Sequence, residues 1–300
     1  MSSRTHPSEV LPATLAGRVS DAMSRRPRLR LTAVLGMPLL WLVLVYFAAL
    51  VSLLVTAFYS VDEFTNAVVH TFTTQNVVDV LTDPVYLKAT GRTVGIAAAV
   101  TVICVVLALP MAFFMAKVAS PRWRNLLVAL VITPLWAAYL VKVYAWQAMV
   151  QPGSGVLSWL LRPVGLDGPG YGTVAVVLTL SYLWLPYMIL PVYAGLERLP
   201  DSLLDAAGDL GARPARTLRT VVLPLIYPSV VAGSIFTFSL SLGDYITVQI
   251  VGGKTQMLGN IVYQNYTSDL PFAATIALIP VAIMVVYLAA VRRTGALENL

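Results

Sequence analysis

The residues best suited to chemistry in this chain are a few charged and aromatic side chains in strongly apolar surroundings. Lys142, Tyr144 and Trp146 alternate within one apolar run, and Asp244 and Tyr245 directly follow another. A carboxylate beside aromatic faces can bind an organic cation, because the carboxylate replaces lost hydration and the ring attracts positive charge. We take these five residues as candidate substrate-path residues. The alternative is that Lys142 snorkels or forms a structural ion pair, and that Tyr144 and Trp146 mark a membrane interface.

The sequence has no arrangement of residues typical of catalysis. His6 and His70 lie outside the apolar runs, no H-E-x-x-H motif occurs, and Cys104 stands alone as a small apolar residue. There is no G-x-x-x-x-G-K-[ST] phosphate loop, and Gly252-Gly253-Lys254 lacks the earlier glycine of that motif. We therefore predict a chain that is not an enzyme, holds no metal or cofactor, and leaves ATP to a partner polypeptide.

The composition indicates that lipid is the solvent of this chain. Of its 300 residues, 58% are hydrophobic and 11% are charged, whereas soluble domains carry about 25% charged residues. The net charge of +6 does not indicate nucleic acid, because the basic residues fall where membrane topology places them. We predict a lipid bilayer as the environment and no nucleic-acid partner.

Six runs are long and apolar enough to cross a hydrocarbon core of about 30 Å as helices. The predicted spans are Ala33–Phe58, Thr93–Ala116, Leu126–Val150, Tyr171–Leu196, Val221–Gly243 and Pro271–Val291. Residues 1–32 are predicted to be a disordered tail, residues 33–291 the transmembrane domain, and residues 292–300 a second tail.

The distribution of lysine and arginine predicts the orientation. With the N-terminus inside, the inner segments hold 15 of them and the outer segments hold 4, a strong positive-inside bias. The inner set is Arg4, Arg18, Arg25, Arg26, Arg28, Arg30, Lys117, Arg122, Arg124, Arg198, Arg213, Arg216, Arg219, Arg292 and Arg293, and the outer set is Lys88, Arg92, Arg162 and Lys254. Both termini are therefore predicted to be cytoplasmic.

The polar segment between the fourth and fifth spans, residues 197–220, has the pattern of two short helices, and we call it the elbow. Apolar residues recur at helical spacing on one face and aspartates on another: Leu203, Ala207 and Leu210, and Asp201, Asp205 and Asp209. Gly211 suits the end of the first helix, because it accepts a positive φ, and Pro214 suits the first turn of the second.

The elbow resembles the "EAA" signature of bacterial ABC-importer permeases. The matching residues are Asp205-Ala206-Ala207, then Gly211, then Leu223-Pro224. The resemblance implies that these residues couple the chain to its ATPase. Asp205 stands where the family usually has glutamate, which keeps the charge and shortens its reach by one methylene.

Two further stretches resemble the spermidine/putrescine branch of these permeases. They are Lys142-Val143-Tyr144-Ala145-Trp146 and Leu242-Gly243-Asp244-Tyr245-Ile246-Thr247 with the following Val251-Gly252-Gly253. The resemblance implies an all-α polytopic membrane protein with the type I ABC-importer permease fold, carrying spermidine or putrescine across a bacterial plasma membrane. The implied partners are an ABC ATPase dimer that binds ATP, a second permease that is homologous but not identical, and an extracytoplasmic substrate-binding protein.

Three other functions remain as alternatives. An ABC permease for another small solute would keep the elbow and change the cargo. A self-sufficient channel or secondary carrier would leave the elbow unexplained, and the charged midspan residue of this chain, Lys142, is not part of an acidic proton relay. An intramembrane enzyme would need a second catalytic group beside Asp244, and the spans offer none.

Overall fold

The computed structural model describes residues 27–62, 65, 67–293 and 295, and it describes side chains from residue 35 onward. Their regular secondary structure is helical apart from one small antiparallel hairpin, so the predicted all-α fold is confirmed. The helices are α1 (Pro27–Thr56), α2 (Gln75–Thr82), α3 (Pro84–Phe113), α4 (Pro121–Trp136), α5 (Tyr139–Val150), α6 (Val156–Leu161), α7 (Thr173–Glu197), α8 (Asp201–Asp209), α9 (Pro214–Thr217), α10 (Leu223–Leu242), α11 (Ile246–Val251), α12 (Leu258–Asn265) and α13 (Leu270–Arg293). The hairpin pairs β1 (Ser60–Val61) with β2 (Val68–Val69).

The chain divides into two compact units, residues 1–55 and 56–300. In the first, α1 begins at Pro27, ahead of the predicted Ala33, so residues 27–32 belong to a helix and not to a disordered tail. The rest of the predicted tail, residues 1–26, lies outside the described residues. Leu35–Thr56 is an apolar stretch of 22 residues with a mean hydropathy of 2.6, enough for a membrane span.

The second unit contains four further helices long and apolar enough to span a membrane, and one broken pair. The predicted third span, Leu126–Val150, is not one straight helix: α4 and α5 bend by 95° at a break. Ala137 and Ala138 are extended there, with ψ of 137° and 139°. The apolar pattern of the sequence continues unchanged across the break, so the cause of the bend is tertiary. Tyr139, the first residue of α5, is held by a hydrogen bond to Thr247 of α11.

The core of the second unit is formed mainly by α3, α7 and α10. Two glycines let α7 and α10 approach closely, as small residues do between membrane helices. A Cβ on Gly233 of α10 would lie 2.6 Å from the sulfur of Met188, and a Cβ on Gly195 of α7 would lie 2.7 Å from the Cβ of Ser229. The same core contains Cys104, which is fully buried as predicted.

Two helices continue through one wide turn of π-helix at the end of the bundle that carries the elbow. One turn, Phe114–Val118, follows α3, and the other, Leu218–Val222, joins α9 to α10. The second has a cause in the sequence. Pro224 has no N–H to donate to Thr220, four residues earlier, and its ring crowds that carbonyl, so the N–H of Leu223 bonds to Leu218 instead.

Short helices occupy the opposite end of the bundle. The loop between α1 and α3 contains the hairpin and α2, and it ends at Pro84, where Asp83 caps α3 by accepting from the N–H of Val85 at 2.8 Å. The connection between the fifth and sixth spans folds into α11 and α12. The N–H of Leu258 at the start of α12 donates to Thr93 Oγ1 of α3 at 2.9 Å, which fixes α12 against the bundle.

Candidate functional site

The elbow has the predicted helix–turn–helix form. α8 ends in a Schellman motif: Gly211 has a φ of +74°, its N–H bonds to Gly208 O at 2.8 Å, and the N–H of Ala212 bonds to Ala207 O at 3.0 Å. Pro214 occupies the first turn of α9. Nothing lies within 4 Å of a Cβ built on Gly211, so the glycine is required by backbone conformation and not by space.

The buried face of α8 differs from the predicted one. Of the apolar face that the spacing indicates, Ala207 is buried, whereas Leu203 and Leu210 are 40% and 88% exposed. Leu204 and Ala207 form the inward face, with Leu204 against the main core. A groove of about 240 Å³ runs beneath this face. It lies between the end of α3, α8 and the start of the fifth span, so the elbow rests on the bundle through a few small contacts.

A lysine ties the elbow to α3. Lys117, in the π turn that follows α3, donates to Leu199 O and to Asp201 Oδ1, both at 2.6 Å. The hydrogen bond from Lys117 and its positive charge lower the pKa of the Asp201 carboxyl. Arg124 of α4 donates to Ala116 O at 2.9 Å. The elbow is therefore tied to the turn that follows α3, and α4 is tied to the same turn.

The predicted coupling residues fall into two groups. Asp205 and Ala206 are exposed on the outer surface of α8, where a partner protein can reach them. Leu223 packs against the main core, and Pro224 is exposed at the start of α10. Leu223 and Pro224 therefore shape the turn that joins the elbow to the fifth span.

The opposite end of the bundle contains a buried polar cluster centred on Asp244, which is 7% exposed. Its carboxylate accepts from the hydroxyl of Tyr139 and, at 2.8 Å, from the N–H of Thr247. Tyr139 also shares a hydrogen bond of 2.8 Å with Thr247 Oγ1, and its ring stacks on Trp184. Asp244 therefore joins the start of α5 to the start of α11, and its carboxylate is not open to solvent in this conformation.

The other predicted path residues are not gathered around this carboxylate. Lys142 is half-buried on α5, and its ammonium group makes no hydrogen bond or ion pair with the described residues. Tyr144 is 55% exposed, and Trp146 packs on Tyr182 with ring centres 5.5 Å apart. Tyr245 stacks on Tyr263 at 4.8 Å.

Sequence reasoning missed Tyr139, Thr247 and Tyr263, which complete these clusters. Tyr263 stacks in turn towards Tyr266, with ring centres 5.7 Å apart. A signal for Tyr263 and Tyr266 is present in the sequence, since two tyrosines three residues apart share one face of a helix. Nothing local marks Tyr139, because its partners lie more than a hundred residues away.

This fold and site define a class: a polytopic helical membrane protein with an exposed helix–turn–helix elbow at one end and a polar, aromatic cluster at the other. Residues 105–294 match the family model described as "Binding-protein-dependent transport system inner membrane component". The chain belongs to this family. It is a multi-pass inner-membrane permease subunit of an ABC importer, and it is not an enzyme.

Known proteins agree in sequence and in fold. The chain is 42% identical over 95% of its length to the inner membrane ABC transporter permease protein YdcU of Escherichia coli K12, covering 96% of that protein. It is 30% identical over 86% of its length to the E. coli K12 spermidine/putrescine transport system permease protein PotB, covering 95% of it. A crystal structure of a bacterial ABC transporter involved in alginate import matches with a TM-score of 0.70 at 14% identity, over 92% of this chain and 99% of that one. This last match shows the fold alone.

Proposed function

We propose that this chain forms half of the translocation path for a small organic cation, spermidine or putrescine, and is driven by a separate ATPase that docks on the elbow. ATP is held by that partner. The distribution of lysine and arginine supports placing both termini and the elbow in the cytoplasm. The second half of the path is a homologous permease, and a binding protein delivers cargo from outside.

The observation that carries the coupling role is the exposure pattern of α8. Its inward residues Leu204 and Ala207 attach it to the bundle, while Asp205, Ala206 and the 88% exposed Leu210 face outward. An exposed leucine and an exposed aspartate on one short segment suit a partner protein better than solvent.

The cationic cargo is supported by similarity to the PotB protein and by the aromatic residues at the outer end. Tyr245 and Tyr263 present stacked rings, and Tyr144 is exposed on α5. Ring faces attract an ammonium group and pack against a methylene linker. Asp244, the residue before Tyr245, supplies negative charge at the same end of the bundle, and Lys142 opposes it.

Cross-linking tests the coupling role. A single cysteine at Ala206 should cross-link to the ATPase subunit in the assembled complex, whereas one at Ser268, at the other end of the bundle, should not. Cys104, the native cysteine, is fully buried and gives little background. Normal complex yield without a cross-link from Ala206, or an equal cross-link from Ser268, would remove the docking assignment.

A matched pair of variants tests the role of Asp244. Asp244→Asn removes the charge and keeps an acceptor for the N–H of Thr247, whereas Tyr139→Phe removes a hydrogen bond and keeps the charge. If the charge serves the cargo, uptake of labelled putrescine by the whole complex should fall much further in Asp244→Asn, with normal assembly in both. Equal losses would show that the carboxylate only braces α5 against α11.

A further inference from the structure

A polar cavity of about 510 Å³ lies at the end of the bundle opposite the elbow. It forms where the start of α3, the start of α7 and the loop between α11 and α12 meet. Its lining includes Arg92, Gly172, Thr173, Gly253, Lys254 and Thr255.

The two cations of this cavity have no negative partner among the described residues. The ion pairs among the described residues join Lys117 to Asp201 and Arg124 to Glu197, and both pairs lie at the elbow end of the bundle. The guanidinium of Arg92 makes one long hydrogen bond, 3.4 Å, to the backbone oxygen of Gln256. Two positive charges that face one cavity without compensation favour a ligand that carries carboxylates.

The walls of the cavity are built before any ligand arrives. The N–H of Gly172 bonds to Val251 O at 2.9 Å, and the hydroxyls of Thr173 and Thr255 are 3.0 Å apart. Gly253 has a φ of +56°, and a Cβ there would come within 3.2 Å of the backbone oxygen of Tyr171. The loop therefore holds its backbone against α7 and leaves the cavity open between the two cations.

Neither topology nor cargo explains these charges. In the proposed orientation Arg92 and Lys254 are two of only four basic residues on the outer side, where the positive-inside rule does not require them. A cationic cargo would be repelled by them. An anionic group on something other than the cargo satisfies both observations.

We propose that this cavity receives acidic side chains of the extracytoplasmic binding protein, and that Arg92 and Lys254 recognise them. The inference rests on the proposed function, because it requires a binding protein and an outward-facing cavity. α11 leads from this cavity to Asp244: Val251 O, at the end of α11, accepts from the N–H of Gly172 in the cavity wall, and the six residues of α11 span about 9 Å at ~1.5 Å per residue. Docking of the binding protein therefore neutralises the positive charge near the outer mouth. One short helix, α11, separates that charge from the buried carboxylate of Asp244.

The test is ATPase stimulation of the reconstituted complex, titrated with its binding protein. Lys254→Gln and Arg92→Gln should each raise the half-saturating concentration of binding protein about threefold, and the double variant roughly tenfold, at low salt. Basal ATPase activity and maximal stimulation should not change. The difference from wild type should shrink between 0.05 M and 0.3 M salt, because exposed charges are screened.

Arg162→Gln is the matched control. It removes one outer positive charge away from the cavity, where Arg162 donates to Gly153 O at 2.7 Å, and its half-saturation should stay at the wild-type value. An unchanged half-saturation in the double variant, or an equal shift in Arg162→Gln, would overturn the proposal. So would lost maximal uptake with normal half-saturation, because that result would place the two cations on the cargo route. If the wild-type complex showed no stimulation at all, the proposed function itself would fail.

Discussion

Gly211 is the residue at which the elbow should be most sensitive to substitution. Its φ of +74° lies in the left-handed region, which costs an ordinary L-residue about 1–2 kcal/mol, and a β-branched residue is a stronger outlier there. Since nothing lies within 4 Å of the built Cβ, steric clash adds nothing to this cost. Gly211→Val should therefore lower the population of the docking-competent elbow by about 10- to 30-fold, taking tenfold as about 1.4 kcal/mol.

The assay is ATPase-subunit affinity and ATP-driven uptake in purified complexes, with permease yield measured in parallel. Gly208→Ala is the control. It lies one turn earlier in α8, has the same open surroundings and no positive φ, and alanine there should be neutral or stabilise the helix by about 0.5–1 kcal/mol. Full uptake and normal affinity in Gly211→Val would refute the reasoning, as would an equal loss in Gly208→Ala.

Three further predictions concern the elbow and the topology. Asp205→Ala should weaken ATPase-subunit binding only a few-fold, since it removes one exposed charge; a complete loss, measured by pull-down, would contradict this. Because Lys117 lowers the pKa of the Asp201 carboxyl, the stabilisation from this pair is present above the unfolded value of about 4 and is lost only as pH falls through the lower folded pKa. The ratio of wild-type to Asp201→Asn affinity for the ATPase subunit should therefore stay constant from pH 5 to 8, and a fall within that window would show another titrating group. For topology, single cysteines can be placed at Ser8, Asp209, Asp79, Gly165 and Ser268. An impermeant thiol reagent applied from outside should label only the cysteines at Asp79, Gly165 and Ser268. Outside labelling at Asp209 would exclude a cytoplasmic elbow.

Most of the architecture could be predicted from the sequence, because hydrophobic length and charge asymmetry are local signals. The elbow was predictable for the same reason: Gly211 and Pro214 specify a helix end and a helix start without help from the rest of the chain. The buried face of α8 was not. Leu203 and Leu204 are both apolar neighbours, and only the position of the bundle decides which one packs inward.

The break between α4 and α5 marks the limit of sequence reasoning at the other end. Its residues continue the apolar run, and it is stabilised by Tyr139 bonding to α11, more than a hundred residues away. The role of Asp244 was not predictable for the same reason. From the sequence Asp244 is an accessible carboxylate, whereas in the fold it is enclosed and bonds to the distant Tyr139. Long-range hydrogen bonds leave no periodic trace in the chain.

Uptake of labelled spermidine and putrescine into proteoliposomes that contain the whole complex tests the central claim most directly. The complex should take up at least one of these amines only when ATP and the binding protein are both present, and the unlabelled amine should compete. Transport of an anion or a sugar without competition by either amine would contradict the cargo assignment and leave the permease standing. Amine uptake by this chain alone, without ATPase or ATP, would contradict the coupling mechanism as well.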